Sequence, residues 1–223
     1  MSQIARLFDR IAPVYDDLND ALSFGLHRVW KKMVRRWAQP QKGQLWLDLC
    51  CGSGDMAILL ARSGAKTIGI DFAREQLAIA RRKSTHLPNL TWEWGDVLAL
   101  RFANDAVDGV TMTYGLRNLT NIDRGLQEIY RILKPRCRAV ILDFHRPYNW
   151  RMAQFQSWYL NQVVIPTARR FNFAQEYAYL EQSLQSFPQG KMQVQKALNI
   201  GFKQATHYPI GGGMMGILVL EKP

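Results

Sequence analysis

Apolar positions along the 223-residue chain fall in short unbroken runs separated by helix-forming stretches. Runs of this length, bounded by turn residues, suit strands buried on both faces. They are Gln44–Cys50, Thr67–Asp71, Thr91–Gly95, Gly109–Tyr114 and Ala139–Phe144. Helices are expected between them at Asp55–Arg62, Arg74–Arg82 and Asp123–Leu133. Such alternation predicts an α/β fold, a parallel sheet covered on both faces. The chain ends differently: Gly201–Tyr208 and Gly216–Leu220 read as strands joined by Pro209-Ile-Gly-Gly-Gly-Met-Met. So short a connection implies an antiparallel hairpin. The pattern thus predicts seven strands, mostly parallel, with an antiparallel C-terminal strand. It divides one domain into a helical cap (1–40), a core (41–145), a helical insertion rich in Phe, Tyr and Trp (146–196) and a hairpin (197–223).

The first strand carries the candidate chemistry. It reads Leu45-Trp-Leu-Asp-Leu-Cys-Cys-Gly-Ser-Gly-Asp55, an apolar run ending in Asp48 and then a turn with Gly52 and Gly54. A strand, a glycine turn and a helix start offer unpaired N–H groups to a polar ligand. Gly52-x-Gly54-x-x-Ala57 satisfies a loose dinucleotide fingerprint, but an ionised Asp48 would repel a pyrophosphate. A cationic ligand such as S-adenosylmethionine (SAM) would be attracted. Asp71 ends the second strand, 17 positions after Gly54, where an acid can accept both ribose hydroxyls. Asp96 ends the third and could accept from an adenine amino group. Each could instead cap a helix, before Glu75 and Ala99 respectively. Three acids ending three successive strands favour a ligand site.

Composition narrows the setting. With 48% apolar residues the chain can bury a full core, and no run approaches the ~20 residues of a membrane span. The N-terminus lacks the apolar stretch of a signal peptide. Three cysteines, two of them adjacent (Cys50, Cys51), do not make a disulfide framework, and buried thiols in an intracellular, cytoplasmic protein are expected. The net charge of +11 suits an anionic membrane surface or nucleic acid. The densest cluster is Arg28, Lys31, Lys32, Arg35 and Arg36, of which Arg28, Lys32 and Arg35 share a helix face; a solvated face is the plainer reading.

The glycine turn resembles motif I of the SAM-dependent methyltransferases, with Cys50 where many have a glycine. A more specific match is Tyr15-Asp16-x-x-Asn19-x-x-x-Ser23-x-x-x-His27-x-x-Trp30. It is similar to the signature of the C-methyltransferases of ubiquinone and menaquinone biosynthesis. Tyr114-Gly-Leu-Arg-Asn118 and Tyr177-x-Tyr179-Leu180-x-x-Ser183-Leu184-x-x-Phe187-Pro188 match further. Order and spacing fit from about Leu7 to the C-terminus. The tail Gly211-Gly-Gly-Met-Met-Gly216 looks most like the phototroph branch, which methylates demethylphylloquinone. Two places depart: Lys134-Pro135-Arg136-Cys137 replaces the usual Lys-Pro-Gly-Gly, and Leu142-Asp143-Phe144-His145 replaces Leu-Glu-Phe-Ser. His145 has no assigned role.

The resemblance implies a Rossmann-like class I methyltransferase. Residues 41–145 would bind SAM, and 146–196 would meet substrate. By position, Ser53, Asp71, Asp96 with Val97, and Thr113 match the family's SAM contacts. Arg117 and Asn118 match a pair facing the substrate ring, and Tyr15, Asn19 and His27 a cap over the site. Arg117 could instead pair with a carboxylate such as Asp123, His27 could be a packed core histidine, and Tyr15 a packing aromatic. A ring carbon attacks a methyl group only when the ring is electron-rich, so the acceptor should be the quinol. Arg117 beside its oxygen would favour the quinolate. Asn118 would hold that oxygen or a water, and His27 or a water held by Arg117 would take the ring proton. No metal is needed. The lipid tail of the quinol implies peripheral contact with a membrane surface. Trp150, Phe155, Trp158, Tyr159, Phe171, Phe173, Tyr177 and Tyr179 would then line a tail groove or simply pack, with Arg146, Arg151, Arg169 and Arg170 against lipid heads. Thr113-Tyr114-Gly115-Leu116 lacks the Asn-Pro-Pro-Tyr-like turn of many base methyltransferases, which speaks against nucleic acid. A homodimer, a biosynthetic complex or a non-catalytic SAM or quinol binding module stays open.

Overall fold

The computed structural model describes residues 20, 23, 25–170 and 182–223. Tyr15, Asn19, Phe171, Phe173, Tyr177 and Tyr179 lie outside the described residues. Seven strands form one sheet: β1 Leu45–Leu49, β2 Lys66–Asp71, β3 Leu90–Trp94, β4 Val107–Thr113, β5 Leu133–Phe144, β6 Gln204–Ile210 and β7 Met215–Glu221. Their spatial order is β3-β2-β1-β4-β5-β7-β6. Strands β1 to β5 pair in parallel, and β7 lies antiparallel between β5 and β6. The described helices include α1 Leu26–Ala38, α2 Asp55–Ala61, α3 Arg74–Lys83, α4 Ile122–Ile132, α5 Trp150–Tyr159, α6 Ile165–Arg170 and α7 Gly190–Ile200.

Strand periodicity builds two cores. Trp46 packs with Val34 and Ala38 of α1, Met56 and Leu60 of α2, and Val140 and Leu142 of β5. Leu47 and Leu49 point to the other face, against Leu126 and Ile129 of α4, Ile141 of β5 and Ala197 of α7. Successive side chains of a strand face opposite ways, so a run apolar at every position must be covered on both sides. This explains the unbroken apolar runs. Strand β1 pairs with β2 on one side and β4 on the other, so the chain's winding reverses there. Such a reversal leaves a crevice at the strands' C-terminal ends.

Two boundaries differ from the sequence reading by three residues or more, the others by two at most. Strand β5 begins at Leu133, which pairs with Val107; the register then shifts so that Arg138 pairs with Gly109. The intervening residues form a bulge in which Arg136 takes the left-handed conformation, φ 61°. Its N–H is kept satisfied by the Lys222 and Pro223 carbonyls. The second difference is at Gly201, expected to open a strand. It instead ends α7 with φ 118°, and β6 starts at Gln204. A glycine at positive φ is the usual stop to a helix.

Candidate active site

The crevice at the ends of β1 and β4 is a cleft lined by Cys50, Gly52, Asp71, Phe72, Gln76, Thr113, Tyr114, Gly115, Asn118 and Leu119. Its two glycines after β1 do different work. A Cβ on Gly54 would come within 2.3 Å of the Trp92 ring, so this glycine lets β3 pack against the turn. A Cβ on Gly52 would meet nothing nearer than Gln76 Oε1 at 3.9 Å; here the backbone is bare toward open space. Across the cleft, Gly115 lets the turn after β4 approach Cys50, whose Sγ would lie 2.8 Å from an added Cβ. Burial pushes the thiols of Cys50 and Cys51 well up, so neither is a ready nucleophile.

The acids occupy three distinct situations. Asp71, at the end of β2, accepts from the Gly52 N–H through Oδ2 and from the Ala73 N–H through Oδ1, both at 2.8 Å. It thereby fixes the turn at the side of the cleft. Asp48 is wholly buried; Oδ1 accepts from Thr111 Oγ1 at 2.8 Å, and among the described residues Oδ2 has no close hydrogen-bond partner. Burial pushes its carboxyl up to about 7, against the pull of the Thr111 bond and nearby Lys31. Asp96 is exposed and caps the short helical turn Val97–Ala99, accepting from the Leu98 N–H at 2.9 Å. Val97 is buried in the core. Of the expected cofactor residues, Gly52, Asp71 and Thr113 line the cleft, whereas Asp48, Ser53, Gly54, Asp96 and Val97 are not part of its lining. Ser53 is buried, with Lys83 Nζ 3.4 Å from its hydroxyl.

A fourth acid escaped the sequence reading. Asp55, the first residue of α2, is bracketed by Lys31 Nζ at 2.9 Å and Lys83 Nζ at 2.5 Å. Burial acts to raise its carboxyl, but the two lysines outweigh this and hold it well below the usual carboxylate range. Lys31 is 8% exposed, so it leaves the cationic face of α1 to clamp the glycine turn. No spacing rule links positions 31, 55 and 83.

Arg117 and Asn118 are neighbours in the chain but turn in different directions. The Arg117 guanidinium pairs with Asp143 at the end of β5, and its Nε donates to Ser183 Oγ at 2.8 Å. Its backbone N–H also donates to Asp143, at 2.9 Å, and both side chains are buried. The carboxylate that neutralises Arg117 is therefore Asp143, while Asp123 pairs with Lys196. Asn118 lines the cleft: its Nδ2 donates to the Tyr114 carbonyl at 3.0 Å and its buried Oδ1 has no partner among the described residues. His27 is buried outside the cleft lining, with Nδ1 2.8 Å from Ser23 Oγ and Nε2 3.5 Å from Asp20. Burial, then Lys31, lowers its pKa, so the ring is neutral near pH 7.

His145 finds a structural setting. Its Nδ1 lies 3.1 Å from the Asp143 carbonyl, which can only accept, so Nδ1 carries the proton. Nε2 is then bare and accepts from Gln193 Nε2 at 2.9 Å and His207 Nε2 at 3.0 Å. Burial lowers both imidazoles, His207 to about 4. The cluster joins β5, α7 and β6 beside the Arg117–Asp143 pair.

These features fit SAM on chemical grounds. The bare backbone at Gly52 leaves room for a ligand chain, the Asp71 carboxylate at the cleft suits ribose hydroxyls, and buried Asp48, with one carboxylate oxygen bonded to Thr111, suits a cation nearby. The sheet order, the cleft position and this turn define a class I SAM-dependent methyltransferase fold. A chain of the complex between the Haloferax volcanii Trm112 methyltransferase activator and a methyltransferase shares the fold. Its TM-score is 0.69 at 18% identity, over 97% of both chains. Residues 1–222 match the ubiE/COQ5 methyltransferase family, and the chain belongs to it. It is 50% identical, over 99% of each chain, to a protein of Nostoc sp. named 2-phytyl-1,4-naphtoquinone methyltransferase. It is 44% identical, over 96% of this chain and 85% of the relative, to the Arabidopsis thaliana 2-phytyl-1,4-beta-naphthoquinone methyltransferase, chloroplastic.

Proposed function

We propose that this methyltransferase moves the methyl group of SAM to a ring carbon of reduced 2-phytyl-1,4-naphthoquinone. The observation that carries this reading is the 50% identity, along 99% of both chains, with a relative of that name. Bound SAM supplies an electrophilic methyl group and leaves as a neutral thioether. Gly52, Asp71, Phe72 and Thr113 would hold it, with Asp48 as the buried counter-charge and Ser53, Gly54, Asp96 and Val97 shaping the rim.

The remaining work belongs to the chain. Asn118 Oδ1, buried and without a partner among the described residues, is suited to accept a hydrogen bond from the ring hydroxyl or to hold an ordered water. Either places electron density toward the ring carbon that is to be methylated. We assign removal of the ring proton to that water, because His27 has its nitrogens turned toward Ser23 and Asp20. Arg117, neutralised by Asp143, is a positioning residue: it fixes the turn Leu116–Asn118 that carries Asn118. Phe72, Tyr114 and Leu119 supply the apolar walls that exclude bulk water. Tyr15 belongs to the cap by resemblance. Residues 41–145 and the hairpin would then serve SAM, and residues 146–196 the acceptor.

A phytyl tail partitions into lipid, so the enzyme works at a membrane surface, attached peripherally from the cytoplasmic side. The test is methyl transfer from radiolabelled SAM to the reduced phytyl naphthoquinone, with RNA as competitor. Label in the quinone and none in RNA is expected; label in RNA alone overturns the reading.

A further inference from the structure

Helix α5 breaks the usual rule for a helix of a folded domain: none of its ten residues is buried. What it exposes is aromatic. Trp150 is 64%, Phe155 46% and Trp158 55% exposed, and Tyr148 just before it 65%. The exposed positions Arg151, Phe155 and Trp158 follow helical spacing, so they form one stripe. The adjacent side, one residue round the helix, is anchored. Gln156 Nε2 donates to the His145 carbonyl at 2.8 Å, and Met152 packs so close to Gly212 that an added Cβ would lie 2.5 Å away.

The same glycine turn reaches helix α1. Gly211 lies against the Trp30 ring, 3.7 Å from an ideal Cβ, and Gly213 against Pro147. The N-terminal ends of α1 and α5 therefore flank one turn, at the edge of the sheet where β5 ends. That end of α1 exposes Leu26 and Val29, with Arg28, Lys32 and Arg36 also exposed. Charge is one-sided along both stretches. Residues 21–47 contain no Asp or Glu and include Lys32, Arg35 and Arg36, while Arg28 is paired with Asp20 just before them. Residues 144–175 contain none either and include Arg146 and Arg151.

We propose that the aromatic stripe of α5, with Tyr148 and the exposed end of α1, is the docking face for an anionic lipid bilayer. Water-exposed Trp, Tyr and Phe on a helix with flanking cations suit the boundary between headgroups and acyl chains. The acid-free stretches match a negative surface. No described helix is long and apolar enough to cross a membrane, so the contact lies in the interfacial plane. The face sits beside the strand end whose Asp143 holds Arg117, so a docked enzyme would present its cleft side to lipid. This inference rests on the reading that the acceptor carries a lipid tail.

The test uses the full chain and vesicles of phosphatidylcholine with and without phosphatidylglycerol. Co-sedimentation of the parent chain should require phosphatidylglycerol. Trp150→Ser/Phe155→Ser/Trp158→Ser should weaken it at least tenfold, and Lys32→Gln/Arg36→Gln should remove most of the preference for anionic lipid. SAM affinity should stay unchanged in both, which also reports folding. A parent chain that binds no vesicle overturns this proposal together with the lipid-surface reading. A parent that binds while the aromatic variant binds equally overturns only the assignment of the face. An aromatic variant that turns a dimer into a monomer shows that the face joins two copies instead. Lipids brominated along the acyl chain check the point independently of folding: they should quench the parent chain's tryptophan fluorescence, and no quenching overturns the proposal.

Discussion

Removing the Arg117 side chain would leave Asp143 a buried carboxylate held only by backbone N–H groups. Breaking such a pair costs about 3–5 kcal/mol, because an uncompensated charge stays in the interior. Arg117→Ala should therefore lose about that much in urea denaturation, and adding Asp143→Asn should recover part of it by removing the stranded charge. An unchanged unfolding midpoint would show that the pair carries no stability. Asp71 is a second single point of failure. Asp71→Ala removes charge-assisted bonds worth about 1.5–3 kcal/mol, and SAM affinity measured by calorimetry should fall by that amount. Asp48 adds a pH dependence. Its carboxyl is held at about 7 by burial, and only its ionised form attracts a cation. SAM affinity should rise as pH increases toward and through 7 and then level off; Asp48→Asn should flatten the profile. Equal affinity at pH 6 and pH 8 in the parent protein would place Asp48 outside the ligand's field. Among these residues, Asp71 was legible in the sequence because it ends the apolar run of β2, whereas Asp48, expected to end its run, lies within β1 before Leu49, and Asp96 lies two residues beyond β3. Which way Arg117 points was not legible, since its partners Asp143 and Ser183 come from distant segments.

At the scale of elements, the strand-and-helix alternation was readable because both faces of the sheet are covered, which forces unbroken apolar runs. The strand β5 entry was not. Its bulge depends on pairing with Lys222 and Pro223 from the far end of the chain. Arg136 sits there at φ 61°, where a side chain crowds the backbone at a cost of roughly 1–2 kcal/mol, and glycine's looser unfolded chain offsets part of the relief. Arg136→Gly should raise the thermal midpoint modestly, by up to about 1 kcal/mol of stability. A fall in the midpoint would mean that the Arg136 side chain contributes more than its backbone strain costs. Gly201 and the 211–213 turn teach the same lesson from the other side. A glycine is visible in a sequence, but whether it stops a helix or admits a neighbouring helix depends on what packs there.

The whole molecule combines these groups in its response to acid. His207 is held near 4, and His145 and His27 are also lowered, all chiefly by burial. An unfolded histidine titrates near ~6.5, so below that pH the unfolded chain binds more protons. Their contribution is complete above pH ~6.5 and is lost as pH falls toward 4. Asp48 acts in the opposite sense, since its folded form holds a proton up to about 7, so the histidines are read in an Asp48→Asn parent, where that group no longer titrates. Asp55 adds a further loss below the ordinary carboxylate range. Denaturation at pH 5 should therefore need less urea than at pH 7. His207→Gln keeps a donor for His145 and should narrow the difference. A variant with the parent's full pH 5 deficit would remove His207 from the account.

The central claim concerns the acceptor's redox state, because only an electron-rich ring carbon can attack a methyl group. Methyl transfer from SAM to 2-phytyl-1,4-naphthoquinone should be measured with and without a chemical reductant, with the site of methylation read by mass spectrometry of the product. Ring-methylated product that appears only when the quinone is kept reduced is the predicted result. Equal turnover on the oxidised quinone under strict exclusion of reductant would contradict it.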